Sequence, residues 1–314
     1  MYYPYLRARQ FELISLRELV SENVIQNHVV PVLEPVREVF NNLNLADKIF
    51  KEKGFTAYLI MNPLVGDLPG DSQIFLQYLN NLEGSRFLPA FHYSQNANYI
   101  RQSVQEYNLT NCMLVCYDNF IEENAFRELC EEEFITHIML YEPHKYRSLD
   151  RYLKQLGKQY IRLDDVFERQ IKNADFLEIP AHKFSEEHLF YINEDYQGFA
   201  DFTVLPSEYI DGGSTPRAVV IHLTYLNEQE EDQIWIRHFT SNTNDSIVNV
   251  QGKFAEAAEK AVRFFEENGL TNSAIEELRS YFLEGKYPGL GIVKKISIKN
   301  HLSVVCNYLE SQDA

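Results

Sequence analysis

Polar and ionisable side chains recur where short apolar segments of this sequence end. Arg7, Glu34, His92, Glu142 and Asp201 each follow such a segment. A carboxylate beside a histidine can act as a general acid or base, and an arginine can hold an anionic group of a substrate. If the segments are parallel strands, these side chains share one end of a sheet. We therefore expect an active centre that hydrolyses or transfers an anionic small molecule or a phosphoester.

The same strand ends offer oxygen ligands for a metal ion. Glu34, Glu142, Asp165 and Asp201 are carboxylates, the ligands that Mg²⁺ and Mn²⁺ prefer. Carboxylates that converge repel one another, so a bound cation or an arginine is expected beside them. The alternative is that Arg7 and Glu34 form a structural salt bridge and that the other acids cap turns and helices.

Eight apolar segments must position these residues, and most begin about 25 residues apart. They start near Tyr3, Val29, Ala57, Phe87, Cys112, Thr136, Gln159 and Phe199. One strand with one crossover helix needs about this length of chain, and nearly continuous apolar character is typical of strands buried on both faces. The pattern predicts an α/β fold, a (β/α)₈ TIM-like barrel. An open doubly wound sheet is the alternative, although the glycine fingerprint after its first strand is missing.

The alternation of side chains along a strand predicts which ends enter the barrel together. Residues two apart share a face, so Leu140 is expected to point the same way as Glu142. In a consistent phase Glu34, Asn62 and His92 also point into the mouth. Asp118 is a further acid at a strand end, where it could instead cap a helix.

The regular pattern changes after residue 163. Two apolar segments joined by an acidic loop predict a hairpin, and three helical segments follow it. The hairpin covers 218–226 and 234–239, the helices cover 254–268, 272–283 and 295–309, and a further short helix is predicted over 184–192. We predict one barrel-like domain over 1–314, with its core in 1–205 and an added hairpin and helical region in 206–314.

Two further segments have features of anion-binding loops. Lys294 and Lys295 follow Gly289 and Gly291 at the start of a predicted helix, a place that can bind phosphate. The alternative is that Gly289 only ends the preceding helix. The segment 211–216 follows the eighth strand, where a barrel can carry a lid or a phosphate cradle, or simply a long hairpin connection.

Charge and composition restrict the partners. The chain has 29 basic and 46 acidic residues, a net charge of −17, which argues against broad binding to nucleic acid or to an anionic membrane surface. No apolar segment approaches the ~18 residues that span a bilayer. The four cysteines form no CxxC pair, so we expect reduced, buried thiols in a cytoplasmic protein. The remaining partners are a small anionic ligand or another protein.

The beginning of the chain resembles a known family. Residues 3–12 (YPYLRARQFE), 30–35 (VPVLEP) and 235–237 (WIR) are similar to the "beta protein" family of phages and bacteria and to its hypothetical bacterial relatives. Arg7, Arg9 and Glu12 match the start of that family. The resemblance implies a barrel-like fold and an association with phage defence, but no particular reaction. It motivates a competing hypothesis, a non-catalytic sensor or adaptor that binds a protein partner.

Overall fold

An eight-stranded parallel sheet forms the centre of the protein. The structure is a computed structural model that describes residues 1–117, 121–212, 217–244 and 246–313. The strands of this sheet are β1 (Tyr5–Leu6), β2 (Val32–Leu33), β3 (Ala57–Ile60), β4 (Phe87–His92), β5 (Cys112–Cys116), β6 (Ile135–Tyr141), β7 (Gln159–Leu163) and β9 (Gly198–Ala200). They are ordered along the sheet as they are along the chain. The strand between the last two, β8 (Ala181–Ser185), belongs to a second sheet.

The first and last strands meet, which turns the sheet into a barrel. Tyr2 forms bridges to both Val29 and Phe199, and the Tyr5 N–H donates to the carbonyl of Asp201 at 2.8 Å. The predicted (β/α)₈ TIM-like barrel is confirmed, and the open doubly wound sheet is excluded because its edge strands would not pair.

Helices alternate with the strands around the barrel. They are α1 (Gln10–Ser21), α2 (Asn41–Lys53), α3 (Ile74–Asn80), α4 (Ala97–Tyr107), α5 (Asn124–Glu131) and α6 (Arg147–Lys154). The strands bury both faces, which explains their apolar sequences. Val32, Ile60 and Met139 belong to the cluster inside the barrel, whereas Leu33 and Leu59 pack outward against the helices.

The chain continues into a three-stranded antiparallel sheet. Its predicted hairpin is β10 (Val220–Asn227) and β11 (Gln233–Thr240), and β8 pairs with the other side of β11. The prediction of a helix over 184–192 is wrong at its start, since Phe184 and Ser185 belong to β8 and only α7 (Glu187–Phe190) is helical. Pairing with β11 and burial of Phe184 override the local helical pattern. Because β8 comes from residues 181–185, this sheet is not built from 206–314 alone.

Three helices close the described chain, α8 (Val250–Glu267), α9 (Ser273–Leu283) and α10 (Leu290–Gln312). One face of the hairpin packs with α8 and α9 in a second core. The middle of α10 contributes Ile298, Leu302 and Val305 to the core around the barrel. In the part of the chain that the structure describes, no helix combines the length and apolar character needed to cross a bilayer.

Candidate active site at the mouth of the barrel

Tyr5, Glu34 and His92 meet inside the barrel, at the carboxyl ends of β1, β2 and β4. The Tyr5 hydroxyl donates to Glu34 Oε2 at 2.7 Å and lies 2.9 Å from His92 Nε2. His92 Nε2 is 3.5 Å from Glu34 Oε1. None of the three residues is more than 1% exposed. With Arg7 they form what we call the mouth cluster.

The Glu34 carboxylate is bound from three directions. It accepts hydrogen bonds from the Tyr5 hydroxyl, from the Leu64 backbone N–H at 2.7 Å and from the Arg7 guanidinium. A buried carboxylate is tolerated only when charge and hydrogen bonds compensate for its lost hydration. The predicted Arg7–Glu34 contact is therefore present, and it is the charge pair on which the cluster is built.

The Arg7 guanidinium connects the barrel interior to the segment after β9. Its centre lies 5.2 Å from the ring of Tyr5 and 5.9 Å from the ring of Phe202, where cation–π attraction stabilises it. It also donates to the backbone carbonyl of Ser207 at 2.6 Å. Arg7 thus joins the Glu34 carboxylate to the chain that lies over the mouth.

His92 is a neutral ring with one unused nitrogen. Burial and, to a smaller extent, the charge of Arg7 lower the pKa of His92 to about 3. Tyr5 has one hydroxyl proton, which it donates to Glu34, so His92 Nε2–H donates to Tyr5 and Nδ1 carries a lone pair. Among the described residues, Nδ1 has no hydrogen-bond partner. The three groups form a relay from His92 through Tyr5 to Glu34.

Burial also raises the pKa of Tyr5, so its hydroxyl keeps its proton. Tyr5 was not among the residues predicted to carry chemistry. The signal was in the sequence, because Tyr5 lies two residues before Arg7 and therefore shares its strand face.

A segment of residues 203–212, which we call the covering segment, is tied to the mouth by three arginines. Arg7 bonds to Ser207, Arg9 donates to the Ile210 carbonyl at 2.7 Å, and Arg37 pairs with Asp211. These arginines follow β1 and β2, so both loops hold the same segment. Of the predicted lid or phosphate cradle at 211–216, residues 213–216 lie outside the described residues, as does Asp118.

Asn62 supports the end of β4 rather than lining the relay. Its side chain bonds to both the N–H and the carbonyl of His92, each at 2.9 Å, and also reaches Asp71. These bonds fix the backbone that carries the His92 ring.

Glu142 and Asp165 lie at the rim of the mouth. Glu142 pairs with Lys145, and Asp165 accepts a hydrogen bond from the Ser207 hydroxyl. Partial burial raises the pKa of Asp165, the Ser207 hydroxyl opposes this, and the Glu142 charge adds to it.

The predicted phase of β6 is wrong. Met139 belongs to the cluster inside the barrel and Tyr141 packs against it, whereas Leu140, which shares its strand face with Glu142, belongs to the outer core. Because β6 is apolar on both faces, its sequence does not reveal which face is inside.

Asp201 lies on the other side of the barrel wall. Tyr2 donates to Asp201 Oδ1 at 2.5 Å, and the Thr203 N–H donates to the same oxygen at 2.7 Å. His301 of α10 lies 3.0 Å from the Tyr2 hydroxyl and 3.4 Å from Asp201 Oδ2. We call Tyr2, Asp201 and His301 the interface cluster. The prediction that Asp201 joins Glu34 in one cavity is wrong, because its carboxylate turns towards α10.

The four carboxylates predicted as metal ligands do not converge. Glu34 lies inside the barrel with its oxygens already bonded, Asp201 lies outside, and Glu142 and Asp165 are bonded to Lys145 and Ser207 at the rim. Within the described residues, no group of three or more His, Cys, Asp or Glu side chains is arranged to hold a metal ion. The described residues therefore form no recognisable site for Mg²⁺ or Mn²⁺.

Lys294 and Lys295 pack against glutamates of neighbouring helices instead of forming a phosphate site. Lys294 Nζ lies 2.6 Å from Glu12 Oε1, and Lys295 Nζ lies 2.9 Å from Glu18 and 2.8 Å from Glu277. These carboxylates neutralise the lysine charges within the interface of α10 with α1 and α9. The predicted phosphate-binding role is not supported by this geometry.

No protein-family model matches the chain, and no curated protein is significantly similar to it. The resemblance of residues 3–12 to the "beta protein" family therefore stays a prediction.

Proposed function

We propose that the protein is an enzyme that hydrolyses or transfers an anionic small molecule, in particular a phosphoester, at the mouth of the barrel. The observation that supports this is the buried relay of His92, Tyr5 and Glu34 beside Arg7. It lies at the carboxyl ends of the strands, where barrel enzymes carry their active sites. Buried ionisable groups with specific charge partners and shifted pKa values are typical of functional sites.

Arg7 binds the anion in this proposal. Its planar guanidinium has the geometry to donate two parallel hydrogen bonds to phosphate or carboxylate oxygens. In the structure one of its N–H groups is bonded to the Ser207 carbonyl. An entering anion therefore displaces the covering segment from Arg7.

Glu34 is the general base once Arg7 has turned towards the anion. The carboxylate takes a proton from the attacking water or hydroxyl, and the oxygen that loses this proton attacks the phosphorus or carbonyl centre. The bond to the leaving group then breaks, and its oxygen takes the proton from Glu34. His92 Nε2–H bonds to Tyr5 and the Tyr5 hydroxyl bonds to Glu34, so these two residues hold the carboxylate in place. Arg7 orients the substrate.

Tyr5→Phe is the sharpest test, because the chain offers a matched control in Tyr2→Phe. Each substitution removes one buried hydroxyl that bridges a carboxylate and a histidine. We expect Tyr5→Phe to lower kcat/KM at least about 100-fold, the usual effect of losing acid–base catalysis. Tyr2→Phe should leave kcat/KM within about threefold. The assay is hydrolysis of a panel of phosphomonoesters, phosphodiesters and carboxylate-bearing esters, beginning with p-nitrophenyl phosphate, with Mg²⁺, with Mn²⁺ and with EDTA.

Equal activity of the two variants would disprove the role of the relay. Absence of turnover by the wild-type protein across the panel would favour the second candidate function below. Thermal unfolding of both variants separates loss of fold from loss of activity.

The second candidate is a non-catalytic sensor or adaptor for a protein partner. It is favoured by the covering segment, since Arg7, Arg9 and Arg37 all hold the chain's own residues over the mouth. Co-purification of a stoichiometric partner whose binding is lost in an Arg9→Gln/Arg37→Gln variant would support it. A role in phage defence is supported only by the sequence resemblance. A cytoplasmic location is supported by the four cysteines, which are buried and free.

A further inference from the structure

A cavity of about 300 Å³ lies between the small sheet, α8 and the residues that precede β8. Its volume is at the lower end of the range for small-molecule sites. Phe176 and Pro180 line one side, and Arg237, Lys260 and Phe264 line the other. None of these residues belongs to the mouth cluster, so the cavity is a separate feature of the molecule.

Arg237 occupies a position where the fold favours an apolar residue. On the face of the hairpin that packs on α8, Ile221, Leu223 and Phe239 are all buried in the second core. Leu223 is the direct cross-strand partner of Arg237. The guanidinium centre lies 4.6 Å from the Phe264 ring and 5.9 Å from the Phe239 ring. These rings hold it by cation–π attraction, which orients a cation without neutralising it.

Among the residues that the structure describes, the Arg237 guanidinium makes no hydrogen bond and has no acidic partner. This is unusual in a chain with 46 acidic and 29 basic residues, where the half-buried Arg7 and Arg162 are both paired with carboxylates. A guanidinium carries five N–H donors, and those of Arg237 remain available to a ligand.

The second cation of the cavity is also bonded only to neutral groups. Lys260 Nζ donates to the Thr240 carbonyl at 2.6 Å and to Asn242 Oδ1 at 2.7 Å. An ammonium group has three N–H donors, so one remains. Glu267 also lines the cavity, but Arg263 neutralises it at 2.7 Å. Arg237 and Lys260 therefore give the cavity a positive charge, which the nearby Glu256 carboxylate offsets in part on the Lys260 side.

We propose that this cavity binds a small organic anion, a carboxylate or a phosphate monoester that carries an aromatic or aliphatic group. The anionic oxygens accept hydrogen bonds from Arg237 and Lys260, and the apolar group packs on Phe176 and Pro180. Charge attraction is strengthened there because apolar side chains form part of the wall. The site needs no group of the mouth cluster and does not depend on the proposed enzyme activity.

Isothermal titration of the full-length protein with benzoate, phenyl phosphate and the neutral benzyl alcohol tests the proposal. We expect at least one of the two anions to bind and the alcohol not to bind. Arg237→Gln should weaken the binding at least about tenfold. The double variant Arg263→Gln/Glu267→Gln, which removes the mutually neutralised pair of the same cavity, should change it less than about threefold. The charge-balanced double variant Arg7→Met/Glu34→Ala, which removes the arginine proposed to bind anions at the mouth, should leave it unchanged, which separates this site from the mouth.

The relative affinity of benzoate and phenyl phosphate decides between a carboxylate and a phosphate headgroup. Failure of both anions to bind, equal binding of benzyl alcohol, or unchanged binding by a folded Arg237→Gln variant would each overturn the proposal. If Arg237→Gln does not fold, Arg237→Lys is the second variant, because it keeps the positive charge. A folded Arg237→Lys protein that still binds the anion supports the proposal. The proposal is refuted if Arg237→Lys folds and neither it nor the wild type binds an anion.

Discussion

Two buried clusters on opposite sides of the barrel wall contain the same chemical groups. The mouth cluster and the interface cluster each join a tyrosine hydroxyl, a carboxylate and a histidine ring. They differ in what surrounds these groups. In the mouth cluster an arginine pairs with the carboxylate, and one histidine nitrogen has no partner in the part of the chain that the structure describes. In the interface cluster both ring nitrogens of His301 have partners, the second being the Thr224 hydroxyl at 3.2 Å.

The comparison shows that residue types alone do not identify a site. The interface cluster is sealed between the barrel and α10, and its hydrogen bonds join the two. The mouth cluster lies at the strand ends beneath a segment held by arginines. We propose chemistry for the mouth cluster because its arginine contact can be displaced and one ring nitrogen has no partner among the described residues. The interface cluster holds the fold together.

The largest effect is expected for Glu34→Ala. Removing this carboxylate leaves the Arg7 charge in the mouth without its partner, and breaking a buried pair in this way costs about 3 to 5 kcal/mol. Urea denaturation at neutral pH measures the free energy of unfolding. The double variant Arg7→Met/Glu34→Ala should recover part of the loss, because no charge is then left unpaired. A loss below about 1 kcal/mol for Glu34→Ala would show that the pair matters little.

Acidification should weaken the mouth cluster through His92. The pKa of His92 is lowered to about 3 in the folded protein, whereas a histidine in an unfolded chain titrates near 6.5. The unfolded state therefore binds more protons below pH 6.5, and stability is lost as the pH falls towards 3. The slope approaches about 1.4 kcal/mol per pH unit, and the integrated loss is about 2.3 kcal/mol between pH 6.5 and pH 4.5.

Urea denaturation across this pH interval checks the sign and the size of the effect. His92→Gln should flatten the pH dependence by about the stated amount, while Tyr5→Phe, which keeps the ring, should not. A pH profile that is the same in the wild type and in His92→Gln would contradict a neutral, buried His92.

A smaller effect is expected for Asp201→Asn in the interface cluster. The substitution leaves neutral partners, the Tyr2 hydroxyl and the Thr203 N–H, and it keeps one acceptor oxygen. The expected loss is about 1 to 2 kcal/mol, typical of a disturbed buried hydrogen bond. Catalytic activity should be unchanged. A loss as large as that of Glu34→Ala, or a loss of activity in a folded variant, would erase the distinction between the two clusters.

The barrel could be predicted because its strands are buried on both faces. Segments such as CMLVC in β5 are apolar throughout and recur at the spacing of one strand and one helix. The C-terminal hairpin could also be predicted, from its two apolar segments. The strand β8 could not be predicted, because its residues pair with β11, which follows about 50 residues later in the sequence.

The candidate site was predicted in part. Arg7, Glu34 and His92 lie together because strand ends meet in a barrel, and the alternation of β1, β2 and β4 places them inside. The predicted position of Glu142 is wrong because the sequence of β6 does not indicate which face is inside. The predicted position of Asp201 is wrong because the polar groups that bind it, Tyr2 and His301, come from opposite ends of the chain.

The amino-acid sequence by itself determined the repeated strands and helices, the polar strand ends and the acidic character of the chain, since these follow from local pattern and composition. Only the tertiary structure decided that Glu34 is paired with Arg7 and that Asp201 faces α10. It also decided that Arg237 lines a cavity and has no acidic partner among the described residues. The physical reason is that hydrogen bonds and ion pairs depend on distances between residues remote in sequence, which no local pattern contains.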